Sequence, residues 1–184
     1  SSSAQSPKCI FVTGIGNDGF ADTLQKSFLR HFPDTNNTTV VKFGGEVTTG
    51  RAIINVDKNG HNNIVLLKGA NALLAPKHVD EHWSLIEANC KVLVVQNEIP
   101  LETTCHALRR GSKSGLFTVF NPAPAPSATH QDLSLLFNRE TLSSIDLICP
   151  NETEALSLLS YHGDGGDSGD EELRQKLLRD DYEL

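Results

Sequence analysis

The architecture of this chain is most constrained by two segments, Asn121-Pro122-Ala123-Pro124-Ala125-Pro126 and Cys149-Pro150-Asn151-Glu152-Thr153-Glu154-Ala155. Each segment follows a short apolar run, residues 116–120 in the first case and 145–149 in the second. Short apolar runs of this kind are typical of buried strands, so both segments are predicted to be irregular backbone leaving a strand. In open α/β sheets, ligands bind beyond the carboxyl ends of the strands, and these segments are therefore the first candidates for a functional site.

Apolar runs alternate with helical patterns along the chain, which predicts an α/β fold with a mostly parallel sheet and flanking helices. The predicted strands cover 9–13, 92–96, 116–120 and 145–149, and the predicted helices cover 18–32, 100–110, 133–137 and 151–160.

The region 38–69 differs from the rest, because it contains three β-rich runs at 39–43, 51–56 and 63–68. The last two runs are joined by Asp57-Lys58-Asn59-Gly60. A turn that ends in Asn-Gly between β-rich runs predicts a hairpin. We therefore expect residues 38–69 to form a small antiparallel β-lid that projects from the α/β body.

The length of 184 residues and the hydrophobic content of 38% are sufficient for one core, and we expect one domain over residues 1–163. Residues 164–184 form an acidic tail in which a short amphipathic helix is predicted at 171–179. This tail carries −5 of the net charge of −7, so the preceding body carries only −2. A nearly neutral body has no basic face for phosphate backbones, which argues against a nucleic-acid partner.

The four cysteines show no C-x-x-C spacing, which favours free thiols in a reducing, cytoplasmic compartment. No apolar run is long enough to span a membrane, and the N-terminal residues lack the features of a signal peptide. The chain contains no Met and begins with Ser, which predicts a processed product or a fragment.

Two motifs suggest other kinds of protein. Residues 14–19 fit G-x-G-x-x-G between a predicted strand and a helix, as a dinucleotide-binding oxidoreductase domain would. Asp18 would place a carboxylate where the pyrophosphate binds, and the next elements are predicted to be antiparallel, so a helix N-cap is the favoured interpretation. His78-Val79-Asp80-Glu81-His82 fits H-x-x-E-H, but no further ligand is evident and a metal site there is not expected.

Asn151 and Glu154 have the spacing of a capping box, in which an N-cap residue and the third helical residue hydrogen-bond reciprocally. They also stand at a helix N-terminus, which favours phosphate binding and leaves a functional role open. Glu98 follows the predicted strand at 92–96, where a carboxylate can accept hydrogen bonds from sugar hydroxyls or remain an exposed loop acid.

In combination, these residues resemble the PfkB-type carbohydrate kinases, and among them the ribokinases more than the fructokinases or adenosine kinases. The resemblance covers residues 9–160, and its two specific motifs are the segments at 121–125 and 150–155. The other matching pieces are Gly16-Asn17-Asp18-Gly19, Thr49-Gly50, Asn59-Gly60, Gly69-Ala70-Asn71 and Gln96-Asn97-Glu98-Ile99-Pro100.

The resemblance implies ATP-dependent phosphorylation of a sugar, most closely D-ribose to ribose 5-phosphate, with ATP and Mg2+ as cofactors. Glu98 matches the acid that binds ribose hydroxyls, Asn151 the residue that contacts ATP phosphate, and Glu154 the residue associated with Mg2+. The resemblance also implies a lid over the sugar and a homodimer formed through the β-lid.

The sequence departs from the family pattern at both ends. The N-terminal Gly-Gly motif and the Gly-Ala-Gly-Asp motif with the catalytic base are absent, so we assign no catalytic residue and expect a partial kinase domain that is inactive alone. The acidic tail has no recognisable counterpart in the family. A non-catalytic binding or regulatory module and a less favoured NAD-binding oxidoreductase domain remain the alternatives.

Overall fold

The computed structural model describes residues 9–31, 38–125 and 130–159. The chain divides into two compact units, the first formed by residues 1–91 with 98–103 and the second by residues 92–97 with 104–184. Parallel strands, flanking helices and one antiparallel hairpin confirm the predicted fold class. The tail helix predicted at 171–179 lies outside the described residues, and the predicted domain boundaries stay a prediction.

The first unit begins with a βαβ arrangement of β1 (Phe11–Ile15), α1 (Gly19–His31) and β2 (Thr38–Lys42). Strand β2 pairs in parallel with β1, with Phe11 opposite Thr38 and Ile15 opposite Lys42. The prediction that this strand belongs to the antiparallel lid region 38–69 was therefore wrong. Its β-branched run is equally compatible with either pairing direction, and the helical crossover through α1 makes the parallel one available.

The predicted hairpin is confirmed by β3 (Arg51–Val56) and β4 (Asn62–Leu67), which pair in antiparallel register from Arg51–Leu67 to Val56–Asn62. Its turn is held by Asp57 Oδ1, which accepts hydrogen bonds from the backbone N–H groups of Asn59 at 2.8 Å and His61 at 2.9 Å. Gly60 has a φ of 86°, a conformation that strongly favours glycine. The apolar side chains on both faces of this hairpin are exposed, among them Ile54 (57%) and Val56 (65%).

The chain then forms a 3₁₀ helix (Gly69–Leu73), α2 (Pro76–Glu81) and α3 (Trp83–Asn89). Val79, Trp83 and Ile86 are buried along one face of this segment. This face is shared between two short helices, because the helical pattern is interrupted at His82.

The second unit contains β5 (Val92–Gln96), β6 (Phe117–Asn121) and β7 (Leu147–Ile148), which form a parallel sheet in that order. Its helices are α4 (Leu101–Lys113), α5 (His130–Leu136), α6 (Arg139–Leu142) and α7 (Glu152–Leu159), of which α4 crosses from the first unit.

Helix α4 lies close to this sheet at Gly111. A Cβ there would lie 2.7 Å from Leu93 Cδ2 and 3.1 Å from Thr118 Cγ2, so the helix and sheet approach as closely as glycine permits. Val95 and Phe120 are buried, whereas Val94 on the opposite sheet face is 64% exposed.

Thr118 of β6 anchors strand β7. The Thr118 backbone N–H donates to Asp146 Oδ2 at 2.7 Å, and the Thr118 hydroxyl donates to the carbonyl of Ser144 at 2.6 Å. These bonds fix the entry to β7, and the Cys149 N–H, which donates to the Phe120 carbonyl at 2.9 Å, fixes its exit. In the described ranges, no helix has both the length and the apolar character needed to cross a membrane.

Candidate functional site

Asn151 and Glu154 form a complete capping box at the start of α7, as their spacing predicts. The Asn151 side-chain Oδ1 accepts the Glu154 backbone N–H at 2.8 Å, and the Asn151 backbone N–H donates to Glu154 Oε2 at 2.9 Å. A third bond joins Asn151 Nδ2 to Glu154 Oε1 at 2.9 Å. Glu154 is only 7% exposed, whereas Asn151 lies at the surface.

This helix start retains donors for an anion. The backbone N–H groups of Glu152 and Thr153 lie in the first turn, where no intrahelical acceptor is available. Together with the exposed Asn151 amide and the positive end of the helix dipole, they suit a phosphate oxygen. The carboxylates of Glu152 and Glu154 in the same turn oppose an isolated anion. A phosphate chain would therefore bind better when accompanied by a cation.

Magnesium favours near-octahedral oxygen coordination at about 2.0–2.1 Å and usually retains several waters. Glu154 offers one carboxylate, both of whose oxygens already accept hydrogen bonds from Asn151. Among the described residues, there is no group of three or more His, Cys, Asp or Glu side chains arranged to hold a metal ion. Each carboxylate oxygen retains a further lone pair, so Glu154 could meet a hydrated Mg2+ only as one ligand beside phosphates and water.

Glu98 is exposed in the turn that follows β5, consistent with the predicted loop position. The preceding residue, Asn97, is tightly held, since its backbone N–H donates to the Ala123 carbonyl at 3.0 Å and its Nδ2 to the Pro124 carbonyl at 2.8 Å. The motif at 121–125 therefore supports the loop at the end of β5, and Ala123–Pro124 is a cis peptide. The sequence did not predict this role for Asn97, because the contact spans 27 residues.

The structure brings Asn151 and Glu154 together in the second unit, whereas Glu98 belongs to the first. The functional roles of the three residues, and their convergence at one site, stay predictions.

The segment 14–19 is organised by Asp18. Asp18 Oδ2 accepts the Thr49 backbone N–H at 2.8 Å, and Oδ1 accepts the Thr49 hydroxyl at 2.8 Å and the Ala21 N–H at 3.0 Å. The two Thr49 donors hold the pKa of the Asp18 carboxyl below its ordinary value of 3.8. The carboxylate thus caps α1 and ties it to residue 49, as the N-cap interpretation predicts.

Gly16 is required by packing within the protein itself. A Cβ there would lie 2.4 Å from the Val47 carbonyl oxygen and 2.5 Å from the Thr49 nitrogen. One argument against a dinucleotide site was that the elements after α1 would be antiparallel, and it does not hold, because β2 is parallel. The other argument stands, because Asp18 places a charged carboxylate at the start of α1. The segment is explained without a pyrophosphate ligand.

An open cavity of about 430 Å3 adjoins Asp18 in the first unit. It is lined by Asp18, Gly19, Phe20, Thr23, Thr48 and Arg51. The Arg51 guanidinium lies 4.9 Å from the centre of the Phe20 ring, a cation–π arrangement that joins the start of β3 to α1. This cavity was not predicted, because its lining residues are far apart in sequence.

The first histidine of the 78–82 motif is engaged within the protein. His78 is buried, its Nδ1 accepts the Ala75 N–H at 2.9 Å, and its ring packs edge-on against Phe43. His78 therefore stabilises the start of α2.

Burial makes two of the thiols, those of Cys90 and Cys105, poor nucleophiles. Burial raises the pKa of the Cys105 thiol to about 11 and also raises the pKa of Cys90. Both groups are less readily ionised than an ordinary thiol, which lowers their reactivity.

Comparisons with known proteins place these elements in a family. Residues 10–180 match the model of the pfkB family carbohydrate kinases, so the match extends into the acidic tail, for which no family counterpart was expected. The chain is 37% identical over 145 residues to a ribokinase of Staphylococcus aureus, covering 79% of this chain and 43% of that protein. It is 34% identical over 148 residues to a deoxyribokinase of Salmonella typhi, covering 80% and 44% respectively.

Solved structures agree with the sequence comparisons. A ribokinase from Thermotoga maritima matches with a TM-score of 0.66 and 32% identity, over 92% of this chain and 50% of that one. The chain thus spans about half of the length of the relatives it matches. The family match over most of the chain, together with the strands, hairpin and helix start described above, shows that this chain belongs to the pfkB family of carbohydrate kinases.

Proposed function

We propose that this chain provides part of the substrate sites of a kinase that transfers the γ-phosphoryl group of ATP to the 5-hydroxyl of D-ribose. The observation that carries the proposal is the Asn151–Glu154 pair at the start of α7, in a chain of the pfkB family. Relatives named ribokinase and deoxyribokinase support a pentose as the substrate. The free cysteines are compatible with action in the cytoplasm.

The proposed phosphate site contains Asn151, whose exposed amide donates to a phosphate oxygen of ATP. Phosphoryl transfer depends on positioning the reactants and on neutralising the charge of the transferred group. Mg2+ bound with the nucleotide supplies much of that neutralisation. The cation also offsets the negative charges of Glu152 and Glu154 beside the nucleotide.

The proposed sugar site contains Glu98, whose exposed carboxylate accepts hydrogen bonds from ribose hydroxyls. The residue before it, Asn97, is held by hydrogen bonds to the carbonyl groups of residues 123 and 124. A supported backbone with a free side chain suits a residue that must meet a polar ligand. Carboxylate–hydroxyl bonds are charge-assisted and stronger than neutral ones.

The hairpin β3–β4 is proposed to pair two chains into a homodimer. A two-stranded hairpin with exposed apolar side chains on both faces is marginal in water unless something covers it. Sedimentation equilibrium of the chain tests this proposal, and a single monomeric species up to millimolar concentration contradicts it.

The same surface favours a second candidate, a non-catalytic module that pairs with an intact kinase. The sequence contains no Gly-Ala-Gly-Asp motif, so we propose that the 184-residue chain has no turnover by itself. Ribose-dependent formation of ADP by the purified chain would disprove that part of the proposal.

Binding of ribose tests the sugar site without requiring turnover. We expect the chain to bind ribose saturably in a calorimetric titration, with affinity reduced roughly tenfold in Glu98→Gln because a charge-assisted bond is weakened. Glu102→Gln removes an equally exposed carboxylate in the first turn of α4 and should leave affinity unchanged. A parallel titration with 2-deoxyribose separates the two pentoses. Equal affinities of wild type and Glu98→Gln would return Glu98 to the role of an exposed loop acid.

A further inference from the structure

The turn of the β3–β4 hairpin contains the only Asn-Gly dipeptide of the sequence, Asn59-Gly60. Both residues are exposed, and both lie beyond the paired strands, whose last pair is Val56–Asn62. Among the described residues, Asn59 makes its one hydrogen bond through the backbone N–H, which donates to Asp57 Oδ1 at 2.8 Å. The Asn59 side-chain amide is therefore available to react with the backbone beside it.

An asparagine side chain can react with the backbone nitrogen of the next residue. Here the Gly60 nitrogen would bond to Asn59 Cγ while the bond from Cγ to the side-chain nitrogen breaks. The proton lost by the Gly60 N–H leaves with that nitrogen as ammonia, and the product is a five-membered succinimide. Water then opens the ring at either carbonyl, giving aspartate or isoaspartate. The reaction consumes one water and requires no oxidant, metal or enzyme.

The surroundings of Gly60 leave its nitrogen accessible. A Cβ built at Gly60 meets nothing within 4 Å, so the space beside this backbone is open. The N–H donates to the Asp57 carbonyl at 3.1 Å, slightly longer than the typical N–H···O distance of about 2.9–3.0 Å. A single bond of this length in an exposed turn opens locally at little cost in free energy, and opening frees the nitrogen for attack.

Two other asparagines of the same hairpin lack these features. Asn55 and Asn63 are equally exposed, but they lie opposite each other within the paired strands. They are followed by Val56 and Ile64, whose β-branched side chains crowd the backbone nitrogen that would have to attack. The hairpin thus contains one reactive asparagine and two matched internal controls.

We propose that Asn59 is a site of spontaneous deamidation, and that the isoaspartate formed there loosens the β3–β4 hairpin. In isoaspartate the main chain runs through the side chain, which adds one carbon between residues 59 and 60. Two backbone bonds span this turn, from Gly60 N–H to the Asp57 carbonyl at 3.1 Å and from Asp57 N–H to the His61 carbonyl at 2.9 Å. The longer main chain disrupts both. This inference does not depend on the proposed kinase activity.

The test follows the three asparagines in the full wild-type chain during incubation at physiological temperature and slightly alkaline pH. Samples are digested at intervals, and mass spectrometry measures the change from amide to acid at residues 55, 59 and 63. Electron-transfer fragmentation separates isoaspartate from aspartate. We expect conversion at Asn59 to be at least about tenfold faster than at Asn55 or Asn63, which requires a difference of only about 1.4 kcal/mol in activation free energy.

Three variants of the full chain identify the route and its consequence. Gly60→Ala places a side chain beside the attacking nitrogen and should slow conversion at Asn59. Asn59→Gln cannot form the five-membered ring, and its hairpin should be unchanged after the same incubation. Asn59→Asp adds the charge without the extra carbon. Hydrogen exchange at Val56 and Asn62 should therefore stay slow in both Asn59 variants and become faster in the aged wild type.

Several outcomes would overturn the inference. Conversion at Asn59 in urea but not in the folded chain would mean that the turn protects this residue. Equal rates at Asn55, Asn59 and Asn63 would remove any special role of the turn, and this comparison needs no variant, so it remains decisive if Gly60→Ala does not fold. Unchanged hydrogen exchange at Val56 and Asn62 after complete conversion would disprove the loosening of the hairpin.

Discussion

The two strand-to-helix junctions at Asp18 and Asn151 have similar cap residues but differ in what those residues bond to. At α1, the cap carboxylate is satisfied by its own chain, with three donors from residues 21 and 49. At α7, the oxygen and the nitrogen of the cap amide both bond to Glu154, and Asn151 lies at the surface. The junction at Asp18 is tied to a distant backbone segment, whereas the one at Asn151 has only local partners and is the one proposed to meet a ligand.

The largest expected effect comes from Gly16, at the structural junction. Gly16→Ala should reduce the free energy of unfolding by roughly 3 kcal/mol, because its Cβ would overlap the backbone of residues 47–49, which has little room to move. The effect should appear in urea denaturation of the chain without any ligand. A stability equal to wild type would mean that this junction is looser than its contacts indicate.

Gly19 is the matched control for this prediction. A Cβ at Gly19 meets nothing within 4 Å, and the residue is the first of α1. Gly19→Ala should leave stability unchanged or raise it by up to about 1 kcal/mol, since alanine restricts the unfolded chain. Equal losses at both positions would indicate that any substitution disturbs the turn.

A smaller effect is expected from the link between Thr49 and Asp18. Thr49→Val removes a buried hydroxyl that donates to Asp18 and accepts the Gly16 N–H at 3.1 Å. Leaving that N–H unsatisfied should reduce the free energy of unfolding by about 1–2 kcal/mol at pH 7.

The same link predicts a dependence on acid pH. The folded pKa of Asp18 is lowered from 3.8, so its stabilising contribution is present above that value and is lost as pH falls through the folded pKa. Thr49→Val keeps the backbone donor, so its loss of stability between pH 5 and 3 should be reduced but not abolished. Identical acid limbs in the denaturation curves would mean that the Thr49 hydroxyl does not help to lower the pKa of Asp18.

Sequence reasoning succeeded where the determining contacts are local. The β3–β4 hairpin follows from Asp57 to Gly60, and the capping box follows from the three-residue spacing of Asn151 and Glu154. It failed where partners are remote. The parallel pairing of β2 and the bond between Asp18 and Thr49, 31 residues apart, leave no periodic signal in the sequence.

Fold and site therefore differ in how far they can be predicted. Alternation of apolar runs and helical patterns was sufficient for the α/β class, because that pattern repeats along the whole chain. The orientation of one amide depends on a single carboxylate beside it, and spacing alone does not specify whether that carboxylate also meets a metal. The resemblance to the family identified Asn151 and Glu154 as candidates, and the structure adds the hydrogen bonds that join them.

The smallest effect on stability is expected at the junction at Asn151. Asn151→Ala should reduce the free energy of unfolding by about 1 kcal/mol, because the Glu154 N–H loses its cap acceptor at an exposed helix end. Asn151→Ser retains an oxygen at the N-cap and should stay within about 0.5 kcal/mol of wild type in the same urea denaturation. If serine destabilises as much as alanine, the bond from Nδ2 to Glu154 contributes to folding as well as to orientation. The contrast with the junction at Asp18 would then be one of degree, because the side-chain contacts of both caps would stabilise the fold.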